Sequence, residues 1–204
     1  MLDVVVALAL LVVLAPLLVL LALLVAVTSG RPVLFRQPRT GEGRREFTLY
    51  KFRSMRGGSA GPQVAGGADP RVTATGRLLR TLGLDELPQL WNVLRGDMTL
   101  VGPRPEVPDL ARRYPPEHQW VFRHRPGLTG PCQLRSRDYA AQLDGRPDPE
   151  AYYLRVLVPQ RTALDAEFLD RATARNVLRY LARTALYVLR TPWHEGPEDR
   201  GSGS

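Results

Sequence analysis

The longest apolar run in the chain stands near its amino terminus. Val4 to Val27 contains no charged and no strongly polar residue. A helix rises about 1.5 Å per residue, so a run of this length is long enough to cross a hydrocarbon core of about 30 Å. A cleavable signal peptide would have a basic start and a shorter apolar core, whereas Asp3 precedes this run. The pattern therefore predicts a membrane-embedded helix within residues 1–30.

Pro16 lies near the middle of the apolar run and is predicted to kink its helix. Proline removes one helical hydrogen bond and clashes with the preceding turn. A kinked helix is able to span the bilayer, and it is equally able to enter and return on the same face. Arginines follow the run closely, at Arg31, Arg36, Arg39, Arg44 and Arg45. The positive-inside tendency places this side, and the domain that follows, in the cytoplasm.

After the apolar run the pattern changes to short alternating segments. Residues 33–54 are predicted to form a β-hairpin around the turn signal TGEG at 40–43. Residues 57–67 are rich in Gly, Ala and Ser, which is typical of a surface loop, either a functional lid or a disordered segment. PGLTG at 126–130 is predicted to be a loop, and residues 132–135 a strand.

Helical segments occupy most of the remaining chain. They are predicted over 73–82, from Asp85 to a stop at Gly96, and over 108–113, 116–123, 149–158 and 161–190. In the last of these, Arg175, Arg179 and Arg183 recur every four residues opposite an apolar face. Such an amphipathic helix either packs on the core with its arginines in water or lies in the membrane plane.

Together these elements predict an α+β, mainly helical fold with three parts. Residues 1–30 form the membrane segment, and residues 31–192 form a small domain with a short β-hairpin and amphipathic helices. Residues 193–204 form a disordered tail whose final GSGS is typical of an added tag.

The composition of the chain indicates which classes of partner and site to expect. The net charge of +8 over 204 residues favours anionic partners, such as nucleic acid, acidic lipid or phosphorylated substrates. The single cysteine, Cys132, excludes an intrachain disulfide and fits a reducing compartment. The three histidines have no spacing typical of zinc ligands.

Adjacent carboxylates, Asp85 and Glu86, stand at the start of the helix that ends at Gly96. The plain interpretation is an N-cap, with the Asp85 carboxylate accepting hydrogen bonds from the first turn. The other is a site for phosphate chemistry, in which an ionised carboxylate attacks phosphorus beside a Mg²⁺ ion. Glu86 is placed to bind that ion, and Asp97 and Glu106 are weaker candidates.

Basic residues near this helix are candidates for binding phosphate. Arg104 lies between Pro103 and Pro105, which limit the local backbone, and a guanidinium held in this way binds phosphate oxygens bidentately. A surface arginine in a rigid turn is the alternative. Lys51 and Arg53 share one face of a strand, where they neutralise a diphosphate or protect a sheet edge. Arg80 precedes Asp85 by five residues and faces the same pocket or the lipid headgroups.

Four segments, taken together, resemble the bacterial sugar transferase family, the monotopic phosphoglycosyl transferases. These segments are YKFRSM (50–55), DPRVTATGRLLR (69–80), LDELPQLWNVLRGDMTLVGPRPE (84–106) and RPGLTG (125–130). The resemblance extends over roughly residues 1–190 and is loose beyond 131. A short chain with one apolar segment is similar to the small members, which consist of the catalytic domain alone.

The resemblance implies a sugar 1-phosphate transferase that depends on Mg²⁺. Such enzymes take a UDP-sugar as donor and a polyprenol phosphate, usually undecaprenyl phosphate, as acceptor, and they release UMP. It implies that Asp85 attacks the β-phosphate to form a phosphosugar-aspartate intermediate and that Glu86 binds Mg²⁺. Arg104, Lys51 and Arg80 match basic positions around the active site.

The resemblance also implies a re-entrant membrane helix hairpin, interfacial amphipathic helices and a catalytic domain on the cytoplasmic face of the bacterial inner membrane. The family breaks its hairpin at Ser-Pro, whereas this chain has Ala15-Pro16 and lacks the hydroxyl. An Asp in the carboxy-terminal region of the family lies near the active site. Asp165 is the match proposed for it, and Asp138 is a rival.

Two other classes of protein are alternatives to a transferase. One is a membrane-anchored module that binds nucleic acid or acidic lipid, but no nucleic-acid motif appears and aromatic residues are only 7% of the chain. The other is an inactive relative that acts as a scaffold, against which Asp85, Glu86 and Arg104 argue. The expected partners are a UDP-sugar, a polyprenyl phosphate and membrane lipids, with no nucleic acid, and the apolar segment is compatible with a homodimer.

Overall fold

A computed structural model describes residues 2–56, 70–135, 139, 142–143 and 145–190. The chain begins with a 28-residue helix, α1, at Leu2–Ser29, which contains Pro16 and is the one described helix long and apolar enough to cross a membrane. The glycine-rich segment 57–67, Asp138 and the tail 193–204 lie outside the described residues.

The predicted β-hairpin is confirmed. Strand β1 (Leu34–Thr40) pairs antiparallel with β2 (Glu46–Phe52), and a 3₁₀ turn at Glu42–Arg44 joins them. Leu49 and Phe52 of β2 are buried. These two side chains are three positions apart, so they point to opposite faces of the strand, and they pack in two different core clusters, Leu49 with Val93 and Phe52 with Leu79.

Short helices follow the hairpin, and the structure is mainly helical as predicted. They are α2 (Ala74–Thr81), a 3₁₀ turn (Leu84–Gln89), α3 (Leu90–Leu94), α4 (Pro108–Arg112) and a 3₁₀ helix (Pro116–Arg123). Thr73 caps α2 by accepting a hydrogen bond from Gly76 N at 2.9 Å. Gly96, with a φ of 81°, stands just after α3, so the predicted helix stop is confirmed.

The prediction of a loop at residues 126–130 is wrong. Residues Gly127–Thr129 form β4, which pairs in parallel with β3 at Thr99–Val101. The strand predicted at 132–135 is wrong as well, since Gln133–Arg135 is a 3₁₀ turn. Strands β3 and β4 have only three residues each, which is too few for alternation to distinguish a strand from a loop.

The carboxy-terminal region is helical, with one break that the sequence pattern missed. Helix α5 (Pro149–Tyr152) continues through a π-helical turn (Tyr153–Leu157) into α6 (Val158–Leu169). Helix α7 (Ala174–Arg190) begins after a turn. The single helix predicted over 161–190 is therefore wrong, because Thr173 starts a new helix by accepting a hydrogen bond from Asn176 N at 3.3 Å.

Helix α1 packs along the domain with one face. Ala7 is buried in a core cluster with Leu90 and Val93 of α3, while Leu21 and Val25 pack in a second cluster with Phe52 and Leu79. Many apolar side chains on the rest of its surface are exposed; Val13, for example, is 74% exposed. Because both ends of α1 belong to core clusters, the whole helix lies against the domain.

Helix α7 packs on the core with the face formed by Val177, Tyr180 and Leu181. A hydrogen bond of 2.7 Å joins the hydroxyls of Thr184 and Thr129 of β4. The core-packed alternative for this helix is thus confirmed for one of its faces.

Candidate active site

Asp85 is the second residue of the 3₁₀ turn that leads into α3. Gly83, in a left-handed conformation with a φ of 64°, holds the N-cap position, and no side-chain hydrogen bond caps the turn. The prediction that Asp85 is the N-cap is therefore wrong. Glycine is able to adopt the conformation that reverses the chain here, so the turn begins two residues earlier.

The Asp85 carboxyl is withdrawn from water, and only 6% of the residue is exposed. Burial, and after it the negative charge of Glu86, raise the pKa of Asp85 to about 6. The positive charges of Lys51, Arg80 and Arg104 act in the opposite direction. At neutral pH the carboxyl is therefore mostly ionised and largely buried, and the charges of three basic residues favour its ionised form.

Glu86 and Arg104 face each other across the site. Arg104 Nη2 lies 3.4 Å from Glu86 Oε1, and the two side chains are 37% and 30% exposed. A long contact between partly exposed groups contributes little to stability. Both side chains are therefore free to exchange this contact for a ligand.

Backbone contacts hold Arg104 in place. Gly102 N donates to Thr129 O at 2.9 Å, and Gly127 N donates to Pro103 O at 2.8 Å. A Cβ atom on Gly127 would lie 2.1 Å from Gly102 N, so a side chain at that position would force the two segments apart. Backbone hydrogen bonds and close glycine packing thus join the GPRP motif to the RPGLTG motif.

Lys51 reaches the same site from β2. Burial, and then the charge of Arg39, lower the pKa of Lys51 to about 8, while Asp85 and Glu86 act in the opposite direction. Its Nζ atom also lies 5.3 Å from the centre of the Phe35 ring. Lys51 therefore carries its charge at neutral pH and loses it at mildly alkaline pH.

The other two basic candidates have different surroundings. Arg80 Nε donates to Ser54 Oγ at 2.8 Å, which fixes the guanidinium while its charge still acts on Asp85. Arg53 Nη1 lies within hydrogen-bond distance of the carbonyl oxygens of Ser29, at 3.4 Å, and Arg31, at 3.1 Å. Arg53 therefore ties β2 to the end of α1.

Glu106 is buried behind the GPRP loop and is 5% exposed. Its Oε2 atom accepts hydrogen bonds from Tyr114 Oη at 2.9 Å, from Tyr153 Oη and from Arg161 Nη1 at 3.4 Å. These contacts engage the carboxylate within the protein, which supports a bracing role for Glu106 over that of a metal ligand.

Sequence reasoning missed Arg39 as a member of the site. Arg39 Nη1 donates to Pro105 O at 3.1 Å and lies 3.7 Å from Glu106 Oε1. Burial lowers the pKa of Arg39 to about 10. No local pattern marked this residue, because Pro105 stands 66 positions further along the chain. Arg39 braces the backbone beside Arg104 and adds positive charge behind it.

Asp97 lies in the turn between α3 and β3. Its Oδ2 atom lies 3.3 Å from Arg95 Nε and accepts a hydrogen bond from Asn92 Nδ2 at 3.3 Å. Asn92 is fully buried and also donates to Thr48 O at 2.7 Å. These contacts support a structural role for Asp97.

Asp165 lies on α6 and is 3% exposed. Burial raises the pKa of Asp165 to about 6, although the charge of Arg161 and a hydrogen bond with Cys132 lower it. Asp165 lines the same pocket as Arg104, and its Oδ1 atom has no hydrogen-bond partner within the described part of the chain.

The site offers two adjacent carboxylates to a metal ion. Among the described residues, no group of three or more His, Cys, Asp or Glu side chains is arranged to hold a metal. Mg²⁺ is usually held by one or two carboxylates together with substrate phosphates and water. Asp85 and Glu86 fit that pattern, because they would supply one or two carboxylates and leave the other positions on the ion to phosphates and water.

Comparison with known proteins agrees with this site. The bacterial sugar transferase family matches residues 1–191. The chain is 41% identical over 195 residues to a UDP-glucose:undecaprenyl-phosphate glucose-1-phosphate transferase of Caulobacter vibrioides, covering 93% of this chain and 69% of that protein. It is 47% identical over 141 residues to an undecaprenyl-phosphate glucose phosphotransferase of Komagataeibacter xylinus, covering 65% of this chain.

A third relative is a UDP-N-acetylgalactosamine-undecaprenyl-phosphate N-acetylgalactosaminephosphotransferase of Aeromonas hydrophila, 42% identical over 140 residues and 65% of this chain. The matched regions are 26% of the Komagataeibacter protein and 33% of the Aeromonas protein, so these relatives are much longer. The family match spans almost the whole chain and includes every residue of the site. This protein therefore belongs to the bacterial sugar transferase family.

Proposed function

We propose that this protein transfers a sugar 1-phosphate from a UDP-sugar to undecaprenyl phosphate and so begins the assembly of a lipid-linked glycan. The observation that carries the proposal is the buried Asp85 carboxyl, with a pKa of about 6, beside Glu86 and three cations. The names of the relatives, which act on undecaprenyl phosphate, support it.

In the first step, an ionised oxygen of Asp85 attacks the β-phosphorus of the donor. The bond between that phosphorus and the bridging oxygen breaks, and UMP leaves with the bridging oxygen. The sugar phosphate is then held on Asp85 as an acyl phosphate. In the second step, an oxygen of the lipid phosphate attacks the same phosphorus, which gives a polyprenyl diphosphate sugar and restores the Asp85 carboxylate.

In such a reaction the basic residues that act on Asp85 would offset the repulsion between its carboxylate and the donor diphosphate. A carboxylate and a diphosphate repel each other, so the attack requires positive charge close to both. Lys51 and Arg104 supply fixed charge that acts on Asp85, and Arg80 adds a third. Because Asp85 is buried, positive charge that acts on it stabilises the negative charge of the reacting phosphate more strongly than it would in water.

Asp85 and Glu86 are the residues that would hold Mg²⁺, completed by donor phosphates. Bound there, the ion supplies positive charge that neutralises the diphosphate. We expect EDTA to stop transfer and added Mg²⁺ to restore it. Full turnover in excess chelator would contradict the assignment of the metal.

The test of the nucleophile is the variant Asp85→Asn, which keeps the size of the side chain but replaces the carboxylate with a poor nucleophile. We expect the variant to fold and to release no UMP from a UDP-sugar. Asp170→Asn, at the exposed end of α6, is the matched control and is expected to retain activity. UMP release by Asp85→Asn at the rate of the unsubstituted protein would refute the covalent role.

We further propose that α1 enters and leaves the membrane on one face, so that the domain lies on the cytoplasmic face of the inner membrane. At the start of α1, Asp3 Oδ2 accepts a hydrogen bond from Thr99 Oγ1 at 2.5 Å. At its end, Arg53 contacts the Ser29 carbonyl oxygen. Contacts of both ends with one domain support re-entry, since a spanning helix would carry its first residues to the opposite side of the bilayer.

Labelling tests this topology. In a Cys132→Ser background, a cysteine introduced at residue 2 is expected to react with a membrane-impermeant reagent only from the cytoplasmic side. Reaction only from the periplasmic side would show a spanning helix instead.

Helix α7 is proposed to lie at the membrane interface beside α1. Leu178 and Leu186 are 64% and 47% exposed, although other residues of α7 are packed on the core. The exposed arginines Arg175, Arg179 and Arg183 lie next to this apolar strip, as in helices that bind the headgroup region of a bilayer.

A further inference from the structure

Asn92 is a fully buried polar residue of α3, and its side chain binds the backbone of β2. The Oδ1 atom accepts a hydrogen bond from Tyr50 N at 3.2 Å, and Nδ2 donates to Thr48 O at 2.7 Å. In the described part of the chain, β2 is paired with a strand on one edge only, the edge that faces β1. The Asn92 amide therefore occupies the free edge of β2, where it replaces the hydrogen bonds of a neighbouring strand.

Every polar group of the Asn92 amide has a partner. Nδ2 donates its second hydrogen to Asp97 Oδ2 at 3.3 Å, and Asp97 N in turn donates to the Asn92 carbonyl oxygen at 3.0 Å. Both hydrogens and the oxygen of the side-chain amide are thus engaged. Because Asp97 is bound through its backbone and its side chain, it fixes the orientation of the amide. We call these contacts of Asn92 with Thr48, Tyr50 and Asp97 the Asn92 clamp.

Apolar packing alone would hold α3 against β2. Leu90 and Val93 of α3 are buried in one core cluster with Leu49 of β2. Contacts of this kind are not directional, so they oppose separation of the two elements more than small shifts of one along the other. Hydrogen bonds, in contrast, require a defined distance and direction. The clamp therefore adds a fixed register between α3 and β2, at the cost of burying a polar group.

The register matters because each element carries a charged group of the site close to the clamp. Lys51 directly follows Tyr50 on β2. Asp85 lies in the 3₁₀ turn that continues into α3 with no residue between the two elements. The charges of Asp85 and Lys51 act on each other. A helix shifted by one residue moves about 1.5 Å along its axis, and a misplacement of about 1 Å costs up to about a hundredfold in rate.

We propose that Asn92 is a positioning residue for the transfer reaction: by binding the free edge of β2 from α3, it sets the distance between the Lys51 ammonium and the Asp85 carboxylate. The proposal rests on the proposed function, since it takes Asp85 as the nucleophile and Lys51 as a cation that neutralises the donor. Asn92 acts through the two elements that it joins and takes no part in the chemical step.

Lys51 is the only lysine among the 204 residues, so its pKa is directly measurable. With carbon-13-labelled lysine, an NMR titration of the full chain in detergent micelles gives the pKa of Lys51 from a single signal. The experiment measures how far Asp85→Asn lowers that pKa, first in the otherwise unsubstituted protein and then together with Asn92→Leu. The other charged groups that act on Lys51 stay unsubstituted throughout; they are Arg39 on β1, Glu86 in the 3₁₀ turn and Arg80 on α2.

The expected result follows from the range of electrostatic effects on a pKa. An opposite charge at close range shifts a pKa by roughly one to three pH units, so Asp85→Asn should lower the pKa of Lys51 by about one unit or more while the clamp is intact. The leucine of Asn92→Leu has the same branched shape and no polar atom. With it, we expect Asp85→Asn to lower that pKa by roughly half as much or less. Val93→Ala weakens the apolar packing and leaves the clamp in place, so this matched control should retain the full effect.

A second pair of variants keeps the test decisive if Asn92→Leu does not fold. The Asp97 side chain is 22% exposed, so its replacement disturbs the core less. Asp97→Ala removes the acceptor that orients the Asn92 amide, whereas Asp97→Asn keeps an acceptor oxygen, and both remove the same charge. We expect the effect of Asp85 on Lys51 to weaken in Asp97→Ala and to persist in Asp97→Asn. An undiminished effect in folded Asn92→Leu, or in Asp97→Ala if the first variant is unfolded, overturns the proposal.

UMP release from a UDP-sugar separates this proposal from the proposed function. We expect Asn92→Leu to lower kcat/KM at pH 7 by about ten- to hundredfold and Val93→Ala to change it little. An active protein in which the effect of Asp85 on Lys51 is insensitive to Asn92 would refute the positioning role alone. A protein that transfers no sugar phosphate, although this effect depends on Asn92, would refute the function and leave the register assigned to Asn92.

Discussion

Replacing Lys51 with methionine is expected to change the pH dependence of the first chemical step at both ends. Asp85 must be ionised to attack, and its pKa is about 6. Lys51 must be protonated to neutralise the diphosphate, and its pKa is about 8. For the unsubstituted protein we therefore expect kcat/KM to rise as pH increases through about 6 and to fall as pH increases through about 8, since this ratio reports the free enzyme.

The size of the change follows from the charge that Lys51 exerts on Asp85. A nearby opposite charge lowers the pKa of a carboxyl by roughly one to three units, so its removal raises the pKa of Asp85 by a comparable amount. With a pKa of about 6, about nine-tenths of Asp85 is ionised at pH 7, and a rise of about one unit reduces this to roughly half. The acid limb of Lys51→Met is thus predicted to move upward.

The alkaline limb should behave differently, because Lys51 itself titrates there. In Lys51→Met this limb is expected to disappear, while Lys51→Arg, which keeps its charge, should retain the acid limb near pH 6 and lose only the alkaline one. The assay is UMP release from a UDP-sugar between pH 5 and pH 9. A profile for Lys51→Met with both limbs unchanged would refute the electrostatic coupling between Lys51 and Asp85.

Two further substitutions test the framework of the site, by chemical unfolding in detergent. Gly76→Ala places a Cβ atom 1.9 Å from Ser54 O, so we expect a loss of about 1–3 kcal/mol, or more, with exposed Arg77→Ala as a control that changes little. Glu106→Gln breaks the buried pair with Arg161 and is expected to cost about 3–5 kcal/mol, while exposed Glu46→Gln should be nearly neutral. Unfolding curves that match those of the controls would contradict the packing and pairing described for these residues.

The core of the site was accessible from the sequence because its signals are local. Asp85 and Glu86 are adjacent, Gly96 ends their helix, and two prolines flank Arg104 within the same stretch. The hairpin was also predictable, since seven-residue strands give alternation enough positions to be recognised.

The remaining features depend on contacts that are distant in sequence. The pairing of β3 with β4 rests on two strands of three residues and on Gly127 packing against Gly102, which no periodic pattern marks. Arg39 was missed because its partner, Pro105, also stands far away in the sequence. The break before α7 had a local signal, the N-cap residue Thr173, but the continuous helical pattern on both sides concealed it.

The covalent phosphosugar-aspartate is the central claim, and intact-protein mass spectrometry tests it most directly. The full chain is exposed to a panel of UDP-sugars in the absence of lipid acceptor, and the peptide that carries any adduct is then identified. We predict a mass increase of one phosphosugar group on Asp85 with a cognate donor, and its loss when undecaprenyl phosphate is added. Transfer to the lipid with no adduct on the protein, or an adduct on another residue, would contradict the account.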